Sequence, residues 1–154
     1  MKERWLPVAV LAGGLFATNV VARLIVRFTA SKSAAHQTWI GLIAILAVAV
    51  VMIGVAFWWA RRYRMPRVGS DLAVAVGVAC ALSVLVGPYA GGSAPFKEGF
   101  GSFFGEVWHY LAISAGGAVF GLLLVMAFGL DYRSQSWKRY AETARAKPRR
   151  VVRR

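Results

Sequence analysis

The amino-acid sequence predicts an all-α integral membrane protein: a four-transmembrane-helix bundle followed by a basic tail. Three observations carry that reading. Of the 154 residues, 58% are hydrophobic and 16% are charged, whereas soluble domains are roughly 45–50% apolar and about 25% charged. The apolar residues gather into four segments of bilayer-spanning length. The formal net charge of +13 lies between alternate segments and after the last one. The same figures exclude a disordered chain, and a single cysteine excludes a disulfide-stapled secreted domain.

The four predicted spans cover residues 5–25, 39–60, 72–89 and 107–130, with a basic tail at 131–154. About 20 helical residues at 1.5 Å rise cross the ~30 Å hydrocarbon core. Span 1 follows Lys2 and Arg4 and has a second reading as a cleaved signal peptide ending near Ala22. Its apolar pattern continues through Leu24, Ile25 and Val26, and Arg23 would follow the cleavage point, so a retained helix is expected. Span 3 alternates small and branched residues like a strand. It is too long for an ordinary strand, and an unpaired strand in lipid leaves its backbone groups unsatisfied, so a helix is expected there too.

Charge sets the expected orientation. With four spans, fifteen basic residues fall on one side: two before span 1, four between spans 2 and 3 (Arg61, Arg62, Arg64, Arg67) and nine in the tail. Three, Arg27, Lys32 and Lys97, fall on the other, and Arg23 lies within span 1. The positive-inside rule then places both termini in the cytoplasm. Trp5, Trp58, Trp59 and Trp137 near one boundary, with Trp39 and Trp108 near the other, fit an aromatic belt. The arginine excess over lysine, with abundant Ala, Val and Gly, fits a bacterial inner-membrane protein from a GC-rich genome.

Helices in lipid associate where small residues allow close approach. Span 4 carries Gly117 and Gly121 as GxxxG. Span 3 carries two small stripes, Ala73/Gly77/Ala81 and Ala75/Ala79/Ser83/Gly87, which predict a central position. Span 1 carries Gly13/Ala17 and Gly14/Thr18, and span 2 reads as the more lipid-facing. Packing within one bundle is expected, with a homo-oligomer as the alternative.

Polar residues at membrane depth are costly and mark sites or structural pairs. Asn19, Arg23 and Arg27 recur every four residues on span 1. Acids are few, and Glu106 at the start of span 4 is the expected partner of Arg23 or Arg27. Glu106 and His109 form a lone ExxH. A di-metal bundle needs two such motifs and further glutamates, and His36 and His109 are the only histidines, so no metal or cofactor is expected. Asn19, Arg23, Arg27, Glu106 and His109 are therefore read as a candidate polar site at the outer end. Cys80 lies alone in mid-span, where a small packing residue fits.

The sequence has no G-x-S-x-G elbow, Walker loop or HExxH, and Ser114 has no evident triad, so no enzyme activity is expected. The glycine pair Gly13-Gly14, Arg23 and the Gly- and Phe-rich segment 88–105 faintly resemble small four-span fluoride channels. However, span 2 lacks an asparagine, the later segment lacks threonines and the glycine-to-arginine spacing differs. Small multidrug exporters carry a glutamate within span 1, which this chain lacks. Neither family is assigned. Segment 88–105 reads as a headgroup-level loop, with a lid or partner-docking surface as its functional reading; a short interfacial helix over about 96–104 is a further option within it.

Arg61, Arg62, Arg64, Arg67, Lys138, Arg139, Arg149, Arg150, Arg153 and Arg154 are expected to contact anionic lipid headgroups. Each basic residue near such a surface is worth about 1 kcal/mol. No nucleic-acid-binding motif accompanies these charges, so specific nucleic-acid binding is not expected. The functional expectation is a small non-catalytic membrane protein: an accessory, assembly or interaction subunit meeting another membrane protein or a second copy. The alternative is a small oligomeric transporter or channel using the outer polar stripe.

Overall fold

In a computed structural model, residues 2–29, 34–92 and 99–146 are described. Six helices follow in chain order: α1 (Lys2–Thr29), α2 (Ala34–Arg62), α3 (Met65–Leu85), α4 (Gly87–Gly91), α5 (Phe100–Ala127) and α6 (Tyr132–Ala146). No strand occurs among the described residues. Four helices, α1, α2, α3 and α5, are long and apolar enough to cross a membrane, as expected of a multi-pass membrane protein.

The element boundaries follow local chemistry. Tyr63 and Arg64 link α2 to α3, and Pro66 sits in the first turn of α3, where its missing N–H costs nothing. The helix that carries the expected third span, about 72–89, runs over Met65–Leu85. Pro88 cannot continue the helix, so the chain breaks at Val86 and resumes as the short α4. The fourth helix starts earlier than 107, because Gly99 (φ 89°) turns the chain into Phe100. Phe100, Phe103 and Phe104 thus belong to the first turns of α5 instead of a separate interfacial helix, and residues 96–98 of such a helix lie outside the described residues. At the other end Gly129 (φ 59°) turns the chain between α5 and α6.

The long helices run up and down. The end of α1, the starts of α2 and α5, and α4 meet at one end of the bundle, while the end of α2 meets α6 at the other. For brevity these are the Arg27 end and the Arg61 end. Helix α2 packs most extensively on α5, and α1 on α3 and α4. The α2–α5 seam is built on missing side chains. A Cβ on Gly117 would meet the Ala49 carbonyl oxygen at 2.9 Å, and one on Gly121 would meet that of Ile53 at 2.5 Å. Among the spanning helices α3 is the most buried, with Ala75, Ala79, Ser83 and, beyond its end, Gly87 all facing inward.

The other small stripes behave differently. Ala73, Gly77 and Ala81 are exposed, and a Cβ on Gly77 would meet nothing within 4 Å. Gly77 is therefore not a packing residue within the chain. Gly13, Gly14 and Ala17 also avoid the core, because α1 packs through Val8, Leu11, Ala12 and Leu15. Trp59 is a further correction: it is buried in the core, while Trp5, Trp39, Trp58, Trp108 and Trp137 are exposed as a belt requires. Cys80 is buried and free.

Candidate functional site

At the Arg27 end α1, α2 and α5 enclose a cleft of about 480 Å³, a volume within the usual range of ligand pockets. Asn19, Arg23, Arg27, Glu106 and His109 all line it. The spacing of four explains the convergence. Residues four apart lie above one another on a helix face, so Asn19, Arg23 and Arg27 form a single ladder down α1.

The ladder is wired to the opposite helix. Arg23 Nη2 donates to Glu106 Oε1 in a half-buried ion pair. Its Nε donates to Asn19 Oδ1 at 2.8 Å. Of the two pairings the sequence allows for Glu106, the structure contains the deeper one. Arg23 sits six residues, about 9 Å, inside the end of α1. A guanidinium at that depth needs a counter-charge and acceptors, and Glu106 and Asn19 supply them. Gly87 makes room: a Cβ there would meet Arg23 Nε at 3.1 Å and Asn19 Oδ1 at 3.2 Å.

Arg27 is placed differently. It is exposed at the mouth, and Nη1 donates to the Ala90 carbonyl at 3.1 Å. No carboxylate among the described residues pairs with it. The turn that receives it depends on Gly92 (φ 80°), a left-handed conformation that suits glycine, and the guanidinium carbon lies 3.6 Å from that residue's Cβ position. His109 Nδ1 bonds the Gly105 carbonyl at 2.7 Å. A carbonyl only accepts, so Nδ1 is the donor in this bond.

The rest of the wall is apolar: Ala22 and Val26 on α1, Ile40, Ala44, Ile45 and Val48 on α2, and Ile113 on α5. Exposed Gly41 and Ile45 mark the lateral opening between α1 and α2. Below Val48 and Ile113 the Gly117 seam closes the cleft. Tyr110, which the sequence reading passed over, also lines it. Its hydroxyl is buried and lies beside that of Ser83, but neither has a partner in hydrogen-bonding geometry, and Ser114 is also unpartnered. The available signal was the row Glu106, Tyr110, Ser114, again spaced by four. Among the described residues no three His, Cys, Asp or Glu side chains come together as a metal site. The His36 side chain lies outside them.

At the Arg61 end the guanidinium groups stack on neighbouring rings. Arg62 lies 4.5 Å from the Trp58 ring centre, Arg67 lies 4.3 Å from that of Tyr63, and Arg61 lies 5.8 Å from that of Phe57. Arg67 also pairs with Asp71 at 3.5 Å. Arg61, Arg62 and Arg139 border a hollow of about 590 Å³ between α2 and α6, with Trp58, Tyr132, Gln135 and Ser136. Arg64 caps α3 through its backbone carbonyl, which accepts from the N–H groups of Arg67 and Val68. Lys138 Nζ reaches the Gly129 carbonyl at 3.4 Å. Helix α6 is started by Asp131, whose Oδ2 accepts from Ser134 N–H at 3.1 Å. The Ser134 side chain, and after it the backbone N–H groups at the start of α6, hold the carboxyl below its ordinary pKa. Arg149, Arg150, Arg153 and Arg154 lie outside the described residues.

Compared with protein families, curated proteins and solved structures, the chain matches none of them.

Proposed function

We propose that this chain is a non-catalytic binding or assembly subunit of the bacterial inner membrane, and that the cleft at its Arg27 end is its working part. One observation carries this reading. Five polar side chains, drawn from two helices, gather in a pocket that ends halfway through the bundle. A blind pocket suits binding, whereas conduction needs a path past Val48 and Ile113, where α2 and α5 close on Gly117 and Gly121. Both termini lie in the cytoplasm on this reading, because in sequence fifteen basic residues fall before span 1, between spans 2 and 3 and after span 4, against three between the other spans. The Arg61 end with its tail then meets the anionic leaflet, and the cleft faces the periplasmic headgroups.

Orientation is tested by single cysteines in a Cys80→Ala background. Ser102→Cys should react with an impermeant maleimide in intact cells, and Ser136→Cys only after lysis. Purification in mild detergent tests the subunit reading, which expects a stoichiometric membrane partner. The transport reading draws on the polar mouth and on the exposed small stripe Ala73/Gly77/Ala81, a surface suited to oligomers. It expects a pure homo-oligomer and ion flux in proteoliposomes that Arg23→Gln abolishes.

A further inference from the structure

We infer that the cleft is a site for an anionic amphiphile: a phosphate or carboxylate held by Arg27, with its hydrocarbon chain lying along α2. The inference rests on the binding reading above and names the ligand class.

The two ends of the cleft differ in chemistry. At the mouth, Arg23 is neutralised by Glu106, whereas Arg27 has one carbonyl partner and no acid among the described residues. A guanidinium has five N–H donors, so most of Arg27's remain for a ligand oxygen. Its planar fork matches a carboxylate or phosphate, and the pairing strengthens away from bulk water. Below the mouth, the wall formed by Ile40, Ala44, Ile45 and Val48 is apolar and opens sideways. In a bilayer such a space is entered from the lipid, and a hydrocarbon chain fits that wall better than water does.

This donor surplus selects against a cation, and the apolar wall selects against a small free anion. The remaining class has one negative head and a chain. A membrane phospholipid and a free fatty acid both belong to it.

The test uses full-length protein purified in neutral detergent and titrated with phosphatidylglycerol, phosphatidylcholine and palmitate, with binding read by native mass spectrometry. At least one anionic ligand should bind one-to-one and about tenfold more tightly than phosphatidylcholine, as expected for a charged hydrogen bond. Preference for phosphatidylglycerol identifies a bilayer lipid, and preference for palmitate a free acid. Arg27→Gln should remove most of the tenfold difference, and Ala44→Phe should block the chain and weaken all three ligands. Arg61→Gln, which removes an expected headgroup contact at the opposite end, should leave most of the tenfold preference in place. The inference is overturned if Arg27→Gln keeps the full anionic preference, or if Arg61→Gln abolishes it. Arg27 is exposed, so its substitution leaves the bundle intact, and circular dichroism checks that Ala44→Phe folds. Either adverse result leaves the subunit reading to its own partner-capture test.

Discussion

Replacing Glu106 with Gln removes the counter-charge of Arg23 and keeps the shape of the side chain. The cost follows from the exposure of the pair: 25% for the Arg23 side chain and 40% for Glu106. Fully exposed pairs contribute about 0.2–1 kcal/mol, and removing one member of a buried pair costs about 3–5 kcal/mol. A half-buried pair lies between these limits, so Glu106→Gln should cost about 1–2 kcal/mol. Arg23→Gln should cost more, because the bond to Asn19 is lost as well, a further ~1 kcal/mol. The assay is reversible unfolding in mixed dodecylmaltoside and SDS micelles, run as a double-mutant cycle. The coupling should be about 1 kcal/mol. The swap Arg23→Glu with Glu106→Arg should recover much of what each single charge reversal loses. Coupling below about 0.3 kcal/mol, the scatter expected of independent sites, would refute the pairing argument, as would a double swap no more stable than the worse single variant.

Other regions give sharper contrasts in the same assay. Gly121→Val drives a side chain into the Ile53 carbonyl and should cost at least about 2 kcal/mol, while Gly77→Ala, in open space, should be neutral or stabilising by about 0.5–1 kcal/mol. Tyr110→Phe deletes an unpartnered buried hydroxyl and should stabilise ligand-free protein by about 1 kcal/mol; a loss of that size would mean the hydroxyl is satisfied. Asp131→Ala removes the α6 cap and should speed amide exchange in the first turn of α6, at a cost of about 1 kcal/mol. Because the Asp131 carboxyl titrates below its ordinary value, its contribution is complete above the usual carboxylate range. It disappears as pH falls through the lowered folded-state pKa. Protection factors in the first turn of α6, corrected for the intrinsic slowing of exchange in acid, should therefore fall at acidic pH in the native protein and change less in Asp131→Asn.

The four spans are legible in the sequence because hydrocarbon imposes a composition and a length that few other environments do. The Arg23–Glu106 pair was within reach for a related reason: acids are so few that a buried arginine has few partners to find. Other features depended on which neighbour a face meets, and spacing does not encode that. Gly13/Ala17 and Gly117/Gly121 are both four-residue small stripes, but one faces outward and the other forms a seam. Trp59 has the composition of an anchor, but its position beside Trp58 turns it inward. The boundary shifts at Val86 and Gly99 come from backbone chemistry: a proline that blocks α3, and a positive-φ glycine that starts α5 early.

The two halves of the bundle are packed by different chemistry. Toward the Arg61 end Met52, Ala56 and Val125 are fully buried, and glycines bring α2 and α5 to backbone contact. Separating those helices would forfeit close packing, the principal force between helices in lipid. Toward the Arg27 end the contacts change from methyl groups to guanidinium, amide and carboxylate, which set residues farther apart and leave the cleft between them. On the proposed reading, a closely packed floor beneath a polar rim suits a ligand that enters from the membrane and leaves the same way. Movement through the bundle would require the most tightly packed seam to open first, and nothing in the chemistry of Gly117, Gly121, Ala49 or Ile53 supplies an incentive for that.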